Sequence, residues 1–169
     1  MTLSRNNDIV GYGLLAISIG AAASIASNLF VQGEVLFVWA RELLQPAFAA
    51  ASLNGTVLLQ ALALLFGAAL ILQIRKRFGV TDWSGPAESM FALQYRAGPP
   101  LDTRIGTGSV LAAFVACGCG APVGQYGPVI HLGATISQAL RNRIRMPLRP
   151  DIVLACGMSA AITGALMRP

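Results

Sequence analysis

An all-α integral membrane protein with tilted and broken transmembrane helices is the fold class this sequence predicts, and three observations carry it. The chain of 169 residues is 55% hydrophobic and only 11% charged, with a mean hydropathy of +0.65; a soluble domain carries about 25% charged residues. Its apolar runs are long enough to cross a hydrocarbon core of about 30 Å at about 1.5 Å per residue. The run over residues 105–140 lacks Asp, Glu, Lys and Arg, yet Gly120-Ala121-Pro122-Val123-Gly124-Gln125-Tyr126-Gly127-Pro128 interrupts it. Such a break exposes backbone polar groups that lipid cannot satisfy. It is tolerated where it lines a cavity or packs against protein, and in transporters it often forms the ion or substrate site.

The first span is expected over residues 9–32, an uncharged stretch rich in Ala, Ser and Ile. Glu34, Arg41, Glu42, Gln45 and Pro46 then predict a polar connection, with a short interfacial helix as one option. Residues 56–74 form a second, Leu- and Ala-rich span that Arg75-Lys76-Arg77 stops. Residues 84–96, with apolar Met90, Phe91, Leu93 and Tyr95, are too few to span and end at Gly98-Pro99-Pro100. The broken run follows, then a basic loop (Arg141, Arg143, Arg145, Arg149) and a last apolar segment over residues 152–167. Small residues such as Ala21 to Ser24, Gly67 and Gly157 allow helices to approach closely in lipid.

Charge sets the topology. The formal net charge of +5 comes from basic clusters between apolar segments, which the positive-inside rule explains without nucleic-acid binding. Arg75 to Arg77, Arg96 with Arg104, and Arg141 to Arg149 are expected in the cytoplasm, and anionic lipid is not needed to account for them. The run over residues 105–140 must therefore enter the membrane and return, turning at the Gly/Pro break. Cys117, Cys119 and Cys156 lie in apolar segments with neither zinc nor thioredoxin spacing and read as small packing residues. The N-terminus does not read as a secretory signal. There is no catalytic constellation, metal cluster or P-loop, so an enzyme is not expected.

Two helix starts carry the functional reading. Proline is favoured at the first helical position and glycine is tolerated as a cap. Gly127 is therefore expected near a cap with Pro128 first, and Ser84-Gly85-Pro86-Ala87-Glu88 has the same grammar with Glu88 third. Each start leaves about four N–H groups without partners and carries roughly half a positive charge. Two starts facing one another, with the Ser84 hydroxyl nearby, make an anion site without a formal cation. Spacing alone leaves open a packing kink or a path for a cation or neutral solute.

Residues 84–169 resemble the first half of the chloride channel and chloride/proton exchanger (CLC) family. Ser84-Gly85-Pro86-Ala87-Glu88 is similar to that family's Gly-Ser-Gly-Ile-Pro-Glu motif. Gly124-Gln125-Tyr126-Gly127-Pro128 resembles its Gly-Lys/Arg-Glu-Gly-Pro motif, followed by a similar Val129 to Ala134. Residues 151–169, with Ala155 to Ala161, resemble the small-residue helix leading to its Asn-Ala-Pro turn. The first two spans match in position only. The resemblance implies a partial CLC-type inverted-repeat fold and a parent homodimer with a pore in each subunit. It implies chloride contacts at Ser84, Gly85, Tyr126 and Gly127, with chloride as the transported ligand and no cofactor or metal. Residues 1–169 are then expected to be one incomplete membrane domain, the first part of a longer protein, multi-pass in a bacterial-type inner or plasma membrane.

Departures from the motifs shape the expected activity. Tyr126 stands at the gate position where the family has a glutamate that competes with chloride and carries protons. A phenol with a reference pKa near 10 stays neutral at pH 7, so proton coupling through this position is not expected. Gln125 replaces a basic residue, and Pro86-Ala87 moves the proline one place earlier. The expected function is passive, channel-like chloride transport; a proton-coupled chloride antiporter and a non-conducting truncated membrane scaffold are the alternatives. Ser84 reads as an anion ligand or a helix cap, and Tyr126 as a gate or an interfacial aromatic. Glu88 reads as stabilising a helix start rather than binding a proton. His131, in a membrane segment, is a functional candidate by default, but no acid lies near it in sequence to complete a proton relay.

Overall fold

The computed structural model describes residues 2–51, 54–94, 101–144 and 149–167, which form six helices and no strand. They are α1 (Thr2–Ala51), α2 (Gly55–Phe78), α3 (Pro86–Gln94), α4 (Thr103–Gly118), α5 (Tyr126–Ile144) and α6 (Pro150–Leu166). Tyr95, Arg96, Gly98-Pro99-Pro100 and Arg145 of the sequence reading lie outside the described residues.

The polar connection expected after residue 32 is absent, because α1 runs without interruption for 50 residues. Glu34, Arg41, Glu42, Leu43 and Leu44 are good helix formers, and no Gly/Pro cluster breaks the backbone there. Neighbouring helices take up Glu34 and Arg41, while Glu42 and Gln45 are exposed. Glu34 lies against Cys117, and Arg41 donates to Gln60 Oε1 at 3.1 Å. At about 1.5 Å per residue α1 extends roughly 75 Å, well past the apolar thickness of a bilayer. At the α1–α2 junction a Cβ on Gly55 would overlap the Phe48 carbonyl, so only glycine allows this approach.

Helix α2 passes through the basic triplet and ends at Gly79, whose φ of 65° places it in the left-handed region. Gly79 N–H closes on Arg75 O, while Arg75, Lys76 and Arg77 occupy the last turn, where cations favour the helix dipole. Asp102 caps α4, accepting from Arg104 N at 2.8 Å and Ile105 N at 3.3 Å. The Arg104 guanidinium reaches Arg77 O at 3.4 Å, which brings these two basic segments to one end of the bundle.

Helices α5 and α6 pack most extensively on one another, and α1 packs most extensively on α6. The main core joins Ala23, Phe30 and Val31 of α1 to Val110 of α4, Val129 of α5 and Ala161 of α6. Helices α5 and α6 meet backbone to backbone: a Cβ on Gly157 would lie 2.5 Å from Gly133 O. Cys156 packs against the Leu15, Ile19 and Val153 cluster, in keeping with a packing role. Helix α2, by contrast, is little buried, leaving Val57, Leu58, Leu62, Leu65 and Phe66 exposed on the outside of the bundle.

Candidate functional site

The interruption between α4 and α5 is built by local hydrogen bonds. Gly120 N–H donates to Cys117 O and Ala121 N–H to Ala116 O, both at 3.0 Å, with Gly120 at φ 86°. This is a Schellman ending, which uses carbonyls that a helix C-terminus otherwise leaves free. Gln60 of α2 donates to Cys119 O at 3.1 Å, while Arg41 of α1 holds the Gln60 amide oxygen. Protein thus supplies the partners that lipid lacks.

After the break, Val129 N–H donates to Gln125 O at 3.2 Å, so Gln125 occupies the cap and Tyr126 the first helical position. The start therefore lies two residues before the one expected at Gly127. Pro128 is accommodated in the third position because no N–H is needed within the first turn. Tyr126 and Gly127 carry the N–H groups left without intrahelical acceptors. Gly127 is partly buried, whereas the Tyr126 side chain is 50% exposed.

The second start matches the expected grammar. Ser89 N–H donates to Gly85 O at 3.2 Å, making Gly85 the cap and Pro86 the first helical residue. Glu88 Oε2 accepts from Gly85 N–H at 2.7 Å, which is half of a capping box. Glu88 thus stabilises the helix start. Gly85 N–H is thereby engaged by the Glu88 carboxylate. Ser84 N–H is also engaged, donating to Ser109 Oγ at 3.0 Å. Ala87 and Glu88 N–H remain as the open amides of α3.

The two starts come together. A methyl group on Gly127 would meet Pro86 Cγ at 3.4 Å. Ser84, partly buried, places its hydroxyl 3.0 Å from His131 Nε2 and 3.3 Å from Ser109 Oγ. His131 is 1% exposed, and its Nδ1 lies 2.6 Å from Ser89 Oγ. A polar chain therefore runs from Ser109 through Ser84 and His131 to Ser89, joining α4, α5 and α3 inside an apolar bundle. On the open side of Ser84 lies a cavity of about 520 Å³ lined by Asp82, Trp83, Glu88, Phe91 and Asp102 among others. Two of its carboxylates, Glu88 and Asp102, are already turned to backbone N–H groups as caps.

Ser89 and Ser109 carried no sequence signal of their own. They are recognisable only once three helices are packed. His131 had two signals, its intramembrane position and its register four residues after Gly127, but its partners are serines distant in sequence. Among the described residues no group of three or more His, Cys, Asp or Glu side chains could hold a metal ion.

Two helix starts that meet beside a buried polar chain, within an apolar bundle of helices, belong to an all-α integral membrane protein. The chain belongs to the voltage gated chloride channel family, whose model matches residues 66–169. This is a family of chloride transport proteins rather than enzymes. The match covers the second half of α2 and all of α3 to α6, and so includes both helix starts. Comparisons with curated proteins and with solved structures find no match.

Proposed function

We propose that this chain forms part of a passive, channel-like chloride path in which the anion passes the Ser84 hydroxyl and the amides of Tyr126 and Gly127. The observation that carries this reading is the meeting of the α3 and α5 starts at Pro86 and Gly127, with Ser84 anchored to His131 beside them. Neutral donors suit permeation, because they solvate an anion without holding it as a buried cation does. Tyr126 stands at the gate position as a neutral side chain, so no carboxylate competes there with chloride. The reading needs no cofactor. We further propose multi-pass insertion in a plasma or bacterial inner membrane with Arg75 to Arg77 and Arg104 on the cytoplasmic face. Assembly is proposed to be homodimeric in the full-length protein.

Chloride efflux from liposomes holding the full-length protein tests the function. Efflux should run down the chloride gradient and fall roughly tenfold or more in Ser84→Ala, since a hydrogen bond to a charged group contributes about 1.5–3 kcal/mol. Uphill chloride movement driven by a pH gradient would instead establish exchange. Efflux that is absent, or indifferent to Ser84, would end the proposal. Labelling of single cysteines introduced at Lys76 and Thr56 checks the insertion, which requires only the first to react from the cytoplasm. Crosslinking in the membrane checks the homodimer.

A further inference from the structure

We infer that His131 is a positioning residue: held as its Nε2–H tautomer, it donates to Ser84 Oγ and thereby leaves the Ser84 hydroxyl proton free for an anion. This rests on the chloride path proposed above and adds a specific role for a residue that path does not itself require.

Hydrogen-bond lengths assign the tautomer. Hydroxyl donors make contacts of about 2.5–3.0 Å, whereas N–H donors to oxygen cluster near about 2.9–3.0 Å. Ser89 Oγ lies 2.6 Å from His131 Nδ1, a separation suited to O–H donating to a bare ring nitrogen. The alternative acceptor for Ser89, Gly85 O, is 3.3 Å away. Gly85 O, the other acceptor facing the ring, already receives Ser89 N–H at 3.2 Å; we therefore assign Nδ1 as the acceptor and the ring proton to Nε2, as neutral imidazole requires one donor and one acceptor. The Nε2 to Ser84 Oγ separation of 3.0 Å lies at the centre of the N–H···O range.

The consequence falls on Ser84. Its oxygen receives a proton from His131, so its own O–H must point elsewhere. Its acceptor within the protein is Ser109 Oγ at 3.3 Å, a long contact for an O–H donor, made to an oxygen that already accepts from Ser84 N–H. An anion that displaces this weak contact receives the hydroxyl proton. With the proton on Nδ1 the polarity would reverse: Ser84 would donate into the ring and present lone pairs to the anion, which repel it. Ser89, 0% exposed and held on α3, sets that choice from the far side of the ring.

Histidine-selective ¹⁵N NMR of the full-length protein in bilayers tests the assignment directly, with the His131 signals identified by their loss in His131→Gln. The expected result is a proton on Nε2 and a bare Nδ1; a proton on Nδ1 of the neutral ring overturns the inference. Ser89→Ala removes the O–H donor to Nδ1 and should shift the ring toward the Nδ1–H form; an unchanged tautomer also overturns it. In chloride efflux, His131→Gln, whose amide supplies an N–H near the Nε2 position, should keep flux within about threefold of the parent. His131→Leu should lose roughly tenfold, the worth of one hydrogen bond. Equal flux in the Gln and Leu variants, with Ser84→Ala still impaired, overturns the role of His131 and leaves the chloride path standing. Absence of chloride flux from the parent protein overturns both.

Discussion

Ser84 holds its hydroxyl between side chains of α4 and α5, so its chemistry is set by residues 25 and 47 positions away. That explains what a linear reading could extract and what it could not. The Ser-Gly-Pro start and the Glu88 cap were legible because helix-start chemistry is local. Glu88 does accept from Gly85 N–H, as a third-position glutamate is placed to do. Tyr126 yields a prediction at this scale. Tyr126→Glu places an acid where the proposed path has a neutral phenol. Above the glutamate's pKa the carboxylate competes with chloride for the free amides; below it the protonated acid does not. Chloride efflux of this variant should be depressed at pH 7 and recover as pH falls toward the usual glutamate range near 4.3. A variant with a flat pH profile in liposome efflux would show that position 126 does not face the anion.

The helices separate what periodicity and punctuation reveal from what packing decides. The break between α4 and α5 was visible because Gly120 and the Gly/Pro residues after it are unambiguous stops, and α5 starts two residues before the expected position because Pro128 fits anywhere in a first turn. Helix α1 was misread for the opposite reason: its charges looked like a loop, but partners on other elements make them compatible with a helix. Gln60 shows the dependence most clearly, since it serves the Cys119 and Gly120 carbonyls while Arg41 holds it. Gln60→Leu should leave those groups short of partners and destabilise the fold by about 1–3 kcal/mol. Thermal unfolding in detergent would register this as a lowered midpoint. Gly157→Val should be at least as damaging, because its side chain would collide with Gly133 O and Ser137 across the α5–α6 contact. Overpacking of this kind costs about 1–3 kcal/mol. A wild-type melting curve for either variant would contradict the packing described.

At the scale of the whole molecule, the family match from residue 66 onward coincides with the part of the chain where the motifs lie, whereas α1 and the first part of α2 precede it. Those two helices contribute apolar faces and the polar brace on the interruption, roles many sequences could fill. The matched region carries the converging starts, where few alternatives would do. The central claim is that main-chain amides of Tyr126 and Gly127 and the hydroxyl of Ser84 share one anion. Anomalous diffraction from crystals of the full-length protein grown in bromide is the most direct measurement of it. The account predicts a bromide peak within hydrogen-bond reach of the Ser84 hydroxyl and the Gly127 amide, lost in Ser84→Ala. Bromide bound elsewhere in the bundle, with both of those groups bare, would contradict it.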